Sequence, residues 1–391
     1  MNRRKICIVT GTRAEWGLLS GIASALRARP DTELQIVATN MHLDPRYGHT
    51  VDEITSAGFH VDAAVPMTDP EADDSTEAGV VKNMSRCLTG MADAFTRLRP
   101  DMVVILGDRT EMLAVASAAT VMRIPIVHLH GGEVTEGAID DAIRHAITKM
   151  AALHLVSTES HRRRVIQMGE DPEMVVNTGA IGVWNALHVP AADLKELSEL
   201  IGFTPDRSTL LVTYHPATLD AVSALDRFDA LTEALDRFPE LKIIFTYPNN
   251  DALGAALIER IRHYASARKG RVSAVPSLGM RRFMTTLDLV GAVAGNSSSG
   301  IIEVPSKHIP TIDIGIRQRG RTAAESVIHC GDSADEIADA IRKALSPEMK
   351  DIAARCINPY EQPDTLRLCV DAIAETPLEK LHSKKFHDFR L

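Results

Sequence analysis

The chain has 391 residues, enough for two or three domains that each bury a core, and its formal net charge is −9. Apolar residues make up 45% and charged residues 24%, so the composition is that of a globular chain and argues against intrinsic disorder. The acidic balance argues against a nucleic-acid or anionic-membrane binder, and no run approaches the roughly 18 apolar residues that span a bilayer.

The first half of the chain alternates short apolar strands with helix-like segments. Strands are predicted at 5–10, 34–39, 102–106, 126–129 and 153–157, and helices at 16–27, 112–122 and 138–150. Continuous apolar strands separated by helices are typical of a parallel sheet that is covered on both faces.

The same pattern restarts after a break near residues 189–191. Strands are predicted at 210–214, 242–247, 271–275, 289–294 and 311–314, and helices at 219–238, 253–268 and 333–345. The simplest architecture is therefore two doubly wound α/β halves. Because ligands of such sheets bind beyond the carboxyl ends of the strands, the segments that follow the strands are the candidate site.

Two strand ends of the first half carry polar segments. Residues 11–15, GTRAE, place Arg13 after a turn glycine, where a phosphate could meet a helix N-terminus. Residues 107–111, GDRTE, place Asp108 and Glu111 at the head of a helix. These two acids form either an N-cap with its capping box or, as we favour, a catalytic group at a strand end.

The segment 128–145 is the richest in chemistry. Its polar residues are His128, His130, Glu133, Asp140, Asp141, Arg144 and His145. A Gly-Gly turn places Glu133 just after a strand end. On the helix that follows, two acids with Arg and His one turn later suit proton transfer. Two alternatives stay open: an HxH metal pair at His128 and His130, for which no third ligand is apparent, and core histidines beside a capped helix.

The second half carries a predicted phosphate site. Residues 295–303, GNSSSGIIE, form a small-residue loop whose N–H groups and hydroxyls can bind an anion, and Glu303 could accept the hydroxyls of a ribose. Residues 317–321, RQRGR, add three cations for a diphosphate. His215 and Asn249 follow two other strands of this half and could line the same site.

Taken in order, these segments resemble the hydrolysing UDP-N-acetylglucosamine 2-epimerases of sialic-acid and nonulosonic-acid biosynthesis. The matching segments are 11–15, 107–109, 130–133, 139–149, 215–216, 295–300 and 317–318. The resemblance implies a glycosyltransferase-B-like α/β fold with two Rossmann-like domains, 1–188 and 189–365, and an interdomain cleft. Residues 366–391 would form a C-terminal helix that crosses back to the first domain. Gly17 departs from relatives that carry a serine near the phosphates.

The resemblance also implies a reaction and a role for each site residue. UDP leaves C1 while the C2 proton is removed, and water then adds to the 2-acetamidoglucal with inversion at C2. The implied catalytic residues are Asp108, Glu133, Asp141 and His215; the implied UDP-binding residues are Arg13, Asn249, Asn296, Ser297, Ser298, Glu303 and Arg317; the implied supporting residues are Glu111, Asp140, Arg144, His145 and Arg321. Neither a cofactor nor a metal is implied, and which carboxylate is the base stays open.

Several functions remain alternatives. The motifs say little about C4 and C6 of the sugar, so the same reaction on UDP-2,4-diacetamido-2,4,6-trideoxyglucose in legionaminic-acid biosynthesis is the nearest one. A non-hydrolysing epimerase, a glycosyltransferase of the same architecture and a non-catalytic sugar-nucleotide sensor are less favoured. The glycosyltransferase would need an acceptor site and would have little use for so many acids.

Partners and compartment follow from composition and resemblance together. Five scattered cysteines without CxxC spacing indicate neither a disulfide framework nor a zinc site, which favours a reduced, cytoplasmic compartment. The expected partner is a UDP-sugar, with no nucleic acid and no membrane. The family resemblance alone implies a homodimer.

Overall fold

The protein is described by a computed structural model over residues 3–68, 76–135, 139–215, 221–248 and 252–388. It divides into two compact units. Unit 1 comprises Met1–Trp184 and Gln362–Leu391, and unit 2 comprises Asn185–Glu361. None of the helices in the described ranges is both long enough and apolar enough to span a bilayer.

Strands and helices alternate along most of the chain. The strands are β1 (Arg4–Thr10), β2 (Thr32–Thr39), β3 (Ala63–Val65), β4 (Met102–Leu106), β5 (Ile126–Leu129), β6 (Leu153–Val156), β7 (Val175–Asn177), β8 (Thr209–Thr213), β9 (Lys242–Thr246), β10 (Val272–Val275), β11 (Ala292–Gly295), β12 (Thr311–Ile314) and β13 (Val327–Cys330). The helices are α1 (Arg13–Ala28), α2 (Val51–Ser56), α3 (Glu77–Leu98), α4 (Thr110–Val121), α5 (Ile139–Met150), α6 (Glu159–Gln167), α7 (Ile181–His188), α8 (Leu194–Ile201), α9 (Ala221–Asp236), α10 (Ala252–Ser266), α11 (Gly279–Leu289), α12 (Ser299–Ile302), α13 (Ala334–Leu345), α14 (Pro347–Arg355), α15 (Thr365–Glu375) and α16 (Leu378–His382).

Unit 1 is built on a parallel sheet whose described strands run in the order β3-β2-β1-β4-β5-β6-β7. Its strands are apolar on both faces because helices cover both faces. Ile8 of β1 packs in one cluster with Leu19 of α1, and the next residue, Val9, packs in another with Met91 of α3. This alternation is what a period of two requires of a strand buried on both sides.

Unit 2 repeats the plan with strands in the order β10-β9-β8-β11-β12-β13. Val212 of β8 packs with Leu231 of α9, and its neighbour Leu211 packs with Leu287 of α11. In each sheet the strand order reverses once, between β1 and β4 and between β8 and β11. At such a switch point the loops at the carboxyl ends diverge, and doubly wound proteins bind their ligands there.

The C-terminal segment of unit 1 packs on the helices and strands of that unit. Arg4 Nη1 donates to the carbonyl of Ile373 on α15 at 3.0 Å. Further along, Lys384 Nζ donates to the carbonyls of Lys149 and Ala151 at 2.6 and 2.5 Å. These two carbonyls lie at the end of α5, so the lysine satisfies acceptors that a helix leaves open at its C-terminus.

The predicted elements agree with the structure most closely in the buried centre of each sheet, where β4, β5 and β12 have the predicted bounds. Helix α1 begins three residues earlier than predicted, because Thr12 and Glu15 form a capping box. The predicted strand 289–294 is wrong at its start, since Leu289 ends α11 and the strand begins at Ala292. The sequence prediction also lacked α3 and the edge strands β3, β7 and β13.

Gly295 provides a test of the unit 2 switch point. Its φ is +135°, and an added Cβ would lie 1.9 Å from the carbonyl oxygen of Thr213. Gly295→Ala should therefore lower the free energy of unfolding by at least about 3 kcal/mol, or prevent folding. Gly270→Ala is the control, because Gly270 also has a positive φ but its Cβ would meet open space, so it should cost only about 1–2 kcal/mol. Scanning calorimetry measures the transition temperatures of the two variants. Equal values would contradict the close approach of Gly295 to the Thr213 carbonyl.

Candidate active site

A buried guanidinium organises the carboxyl ends of β4 and β5 in unit 1. Arg144 of α5, whose side chain is 3% exposed, donates to the Asp108 carboxylate, to Asp141 Oδ1 at 3.3 Å and to Thr135 Oγ1 at 3.0 Å. It also donates to the carbonyl oxygen of Glu133 at 2.9 Å. These five residues are called the Arg144 network below. The predicted carboxylates Asp108 and Asp141 thus share one cation, which also holds the backbone of Glu133.

The alternative in which Asp108 caps a helix is wrong. Helix α4 begins at Thr110 with Arg109 as its N-cap, and no side chain closes that cap. The Asp108 side chain pairs with Arg144 instead. Asp141 reaches Arg144 because the two lie three residues apart on α5, and His145 Nε2 lies 3.6 Å from Asp141 Oδ2. Asp140 is half-buried beside Asp141 in the same first turn.

A tight turn carries Glu133 out of β5. His130 and Gly132 have positive φ values of 65° and 77°. A Cβ at Gly132 would lie 2.7 Å from the carbonyl oxygen of His161, so only glycine fits there. Glu133 is 5% exposed, and its Oε1 accepts from Ser157 Oγ at 2.8 Å and from His130 Nδ1 at 3.0 Å.

His128 lies beside this turn and makes hydrogen bonds inside unit 1. Its side chain is fully buried, Nε2 donates to the carbonyl of Gly107 at 2.8 Å, and Nδ1 lies 3.3 Å from Thr148 Oγ1. Burial lowers the pKa of His128 to about 3, which keeps the ring neutral. With both ring nitrogens engaged, the HxH metal alternative has no support at His128. Within the described residues, no group of three His, Cys, Asp or Glu side chains could hold a metal ion.

The unit 1 switch point holds a second carboxylate cluster. Glu111 is fully buried and its Oε1 accepts from Arg109 Nε and from Asn40 Nδ2, both at 2.7 Å. Glu15 Oε2 accepts from the backbone N–H of Gly11 at 2.7 Å. Burial, and then the neighbouring Glu111 carboxylate, raises the pKa of Glu15 to about 8. Glu111, expected to support the site, therefore fixes the loop after β4.

The unit 2 switch point is bridged by one amide side chain. Asn296, which follows β11 and is 3% exposed, accepts from the backbone N–H of His215 at 2.7 Å and donates to its carbonyl at 2.8 Å. The carbonyl of Asn296 itself accepts from Arg317 Nη1 and Gln318 Nε2, both at 2.8 Å. The serine loop, residues 296–300, is thereby tied to the ends of β8 and β12.

His215 is neutral in this setting. Burial, and then the charge of Arg317, lowers the pKa of its imidazole to about 4. Ser297 and Ser298 lie in the serine loop, where the backbone N–H of Gly300 bonds back to Ser297. Arg317 is exposed beside this loop.

The remaining predicted residues lie further from these hydrogen bonds. Arg13 is 63% exposed and pairs with Glu53 at 3.0 Å. Glu303 follows α12 as its C-cap rather than lying within the helix. Arg321 lines a cavity of about 810 Å³ beyond β12 and β13, together with Asp313 and His329. Asn249 lies outside the described residues.

The residues that support these carboxylates and amides have no role predicted from the sequence, although Arg109 and Gln318 lie in its motifs. They are Asn40, Arg109, Thr135, Ser157, His161 and Gln318. Ser157 directly follows β6, where site residues are expected, but the sequence predicts a strand that includes it. His161 had no signal, because it meets Ser157 only through the first turn of α6.

The fold and these two sites define a class of protein. Two doubly wound parallel-sheet units, with a serine loop at the switch point of one, give the glycosyltransferase-B-like fold that the sequence predicts. The UDP-N-acetylglucosamine 2-epimerase from Neisseria meningitidis, in a structure bound to UDP-N-acetylglucosamine, has the same fold. It superposes with a TM-score of 0.77 over 95% of this chain and 100% of its own, at 15% identity.

The sequence comparisons identify the family. The model of the family described as UDP-N-acetylglucosamine 2-epimerase matches residues 24–374. A Campylobacter jejuni protein named GDP/UDP-N,N'-diacetylbacillosamine 2-epimerase (hydrolyzing) is 38% identical over 90% of both chains. The Escherichia coli polysialic acid biosynthesis protein P7 is 34% identical over 99% of this chain and 97% of its own. The chain belongs to the UDP-N-acetylglucosamine 2-epimerase family, as an enzyme, and the predicted resemblance to its hydrolysing members is confirmed.

The buried Glu15 predicts a pH-dependent stability. A carboxyl group whose pKa is raised from 4.5 to about 8 stabilises the fold below pH 4.5, and that contribution is lost as the pH rises through 8. Glu15→Gln cannot ionise, so its stability relative to the natural protein should improve by up to about 1.4 kcal/mol per pH unit in that window.

Urea unfolding at pH 5.5 and pH 8 measures this difference. Both tryptophans, Trp16 and Trp184, belong to unit 1, so their fluorescence reports the unit that contains Glu15. Glu53→Gln is the control, because Glu53 lies on the surface of the same unit. A Glu15→Gln difference that stays constant between the two pH values would contradict a protonated Glu15.

Proposed function

We propose that this chain catalyses the hydrolysing 2-epimerisation of UDP-N-acetylglucosamine to N-acetylmannosamine and UDP. The observation that carries this proposal is the Arg144 network, in which one buried cation gathers Asp108, Asp141 and the turn bearing Glu133. Several carboxylates in one place suit a reaction that needs proton transfer and stabilisation of positive charge at a sugar carbon. The family membership supports the same reaction.

The chemistry runs in two balanced steps. In the first, a carboxylate takes the C2 proton, the C–H electrons form the C1=C2 bond, and the C1–O bond breaks with its electrons leaving on UDP. In the second, the oxygen of water bonds to C1, C2 takes a proton on the opposite face, and the proton lost by water is released. The sum consumes one water and transfers no electrons to an acceptor, so this reaction needs no redox cofactor.

The two units would serve different parts of this reaction. In unit 2, the serine loop and Arg317 would stabilise the diphosphate as negative charge develops on it. The neutral His215 could donate a hydrogen bond to a phosphate oxygen without adding charge. In unit 1, Asp108, Glu133 and Asp141 would share the proton transfers and the positive charge at C1.

A second candidate substrate is favoured by a specific observation. The Campylobacter jejuni relative, at 38% identity, is named for N,N'-diacetylbacillosamine. Its sugar has the same C1–C2 edge but differs at C4 and C6. Assays of UDP-N-acetylglucosamine and the diacetamido sugar nucleotide side by side separate the two, through the ratio of their kcat/KM values. UDP retained in the product would instead indicate a non-hydrolysing epimerase.

Replacing the carboxylates should separate chemistry from binding. Asp108→Asn, Glu133→Gln and Asp141→Asn should each lower kcat by about 10²- to 10⁴-fold, because each removes a proton-transfer or charge-stabilising group. UDP affinity should stay unchanged, because UDP contacts are proposed for unit 2. Asp93→Asn on the surface of α3 is the control and should keep full activity.

Isotope labelling tests the elimination step itself. In heavy water, deuterium should appear at C2 of the released amino sugar, since the original proton is removed and a solvent proton replaces it. Tryptophan fluorescence should first establish that unit 1 of each variant is folded, because two of the replaced carboxylates neutralise Arg144. Full retention of the C2 hydrogen would contradict the mechanism.

The UDP site can be tested without turnover. Arg317→Ala removes a cation, and Glu303→Ala removes the proposed acceptor of the ribose hydroxyls. Each should weaken UDP binding by about ten- to a hundredfold, the range expected for loss of a charge-assisted hydrogen bond. Calorimetric titration with UDP measures the effect, with Arg342→Ala on the surface of α13 as the control. Unchanged affinity in both variants would mean that the nucleotide binds elsewhere.

Two expectations of the sequence analysis stay predictions, one from the family resemblance and one from the cysteine usage. They are assembly as a homodimer and a cytoplasmic location.

A further inference from the structure

Glu133 lies at the end of a hydrogen-bonded chain that the proposed reaction does not account for. Its Oε1 lies 2.8 Å from Ser157 Oγ, and Ser157 Oγ lies 3.0 Å from His161 Nδ1. Ser157 is fully buried and His161 is 2% exposed. On its other side, the same Oε1 lies 3.0 Å from His130 Nδ1. The chain therefore runs from α6 through the end of β6 to the turn after β5.

The direction of each hydrogen bond follows from the donors available. An ionised carboxylate only accepts, so the single hydroxyl proton of Ser157 is donated to Glu133. Ser157 Oγ must then accept from His161, which requires the tautomer of His161 with its proton on Nδ1. His130 Nδ1 must donate to Glu133 for the same reason. Two donors thus converge on one carboxylate oxygen, and one of them is itself polarised by a third group.

The surroundings of Glu133 strengthen this arrangement. Arg144 of α5 donates to its carbonyl oxygen, and Arg164 of α6 donates to the carbonyl of the preceding Gly132. The ring of His128, which lies under the turn, is neutral because burial lowers its pKa to about 3. The turn is thus held by two arginines, while the carboxylate oxygen Oε1 accepts from a serine and a histidine.

We propose that Ser157 and His161 are positioning residues for Glu133, holding its carboxylate ionised and fixed in orientation so that it can accept the C2 proton of the sugar. Hydrogen bonds donated to a carboxylate stabilise its charged form over its neutral form. Because these donors are already in place, they need not rearrange when Glu133 accepts the C2 proton. This inference rests on the proposed function, because it assigns to Glu133 the proton-accepting role that the reaction requires.

The pH dependence of turnover tests the proposal. Ser157→Ala removes a hydrogen bond donated to a charged group, so Glu133 should hold a proton more tightly. The acid limb of the kcat/KM profile should then move to higher pH by about one to two units. His161→Gln should move it in the same direction by less. Ser157→Thr keeps the hydroxyl and should restore the natural profile.

A double variant tests whether the two residues act in series. If His161 acts only through Ser157, adding His161→Gln to Ser157→Ala should move the acid limb no further. Thr178→Val is the matched control, because it removes another buried hydroxyl at the end of the neighbouring strand without touching the chain. Its profile should stay unchanged. If the shifts of the acid limb add up in the double variant, His161 does not act through Ser157, and the proposal is overturned.

The test of the hydrogen-bonded chain can be separated from the test of the proposed function. If the acid limb does not move in Ser157→Ala while Glu133→Gln still abolishes turnover, the positioning role is wrong and the reaction stands. If Glu133→Gln keeps full turnover, the proposed role of Glu133 fails first. Nitrogen-15 NMR of labelled histidine in the unmodified protein tests the chain without any variant. The Nδ1–H tautomer of His161 is expected, and the Nε2–H tautomer would overturn the proposal.

Discussion

The buried charge of Arg144 is the constraint on which the unit 1 site depends. A guanidinium that is 3% exposed loses most of its hydration, and the Coulombic attraction of nearby carboxylates must offset that loss. Asp108 comes from the end of β4, and Asp141 comes from the start of α5. Removing one partner of such a network typically costs about 3–5 kcal/mol, because the remaining charge is left uncompensated. The acids proposed for catalysis therefore also keep the loops after β4 and β5 in place.

The loops at the two switch points are held in place by different kinds of side chain. In unit 2, the neutral amide of Asn296 bridges β8 and β11 by bonding to both backbone groups of His215. In unit 1, the buried carboxyl groups of Glu15 and Glu111 bond to backbone N–H groups and to nearby side chains. An amide bridge adds no negative charge beside the serine loop, where the diphosphate is proposed to bind.

Local rules explain which parts could be predicted from the sequence. Continuous apolar runs placed β4 and β12, and the i, i+3 spacing on a helix placed Asp141 beside Arg144. The capping box that starts α1 at Arg13 was also readable, as Thr12 followed by Glu15. The contact of Ser157 with Glu133 was not, because it depends on β5 and β6 being neighbours in the sheet. The edge strands β3 and β7 were missed because each has only three residues.

The formal net charge counts one buried carboxyl group of unit 1 as an anion although it is protonated. The net charge of −9 counts Glu15 as an anion, yet burial and the adjacent Glu111 raise its pKa to about 8, so it is mostly protonated at neutral pH. His215 is neutral both in the formal count and in the fold, since burial and Arg317 lower its pKa to about 4. Burial neutralises the groups that no opposite charge compensates, while Arg144 and its two aspartates compensate one another. The two aspartates that Arg144 pairs, Asp108 and Asp141, are among the groups proposed to act on the sugar.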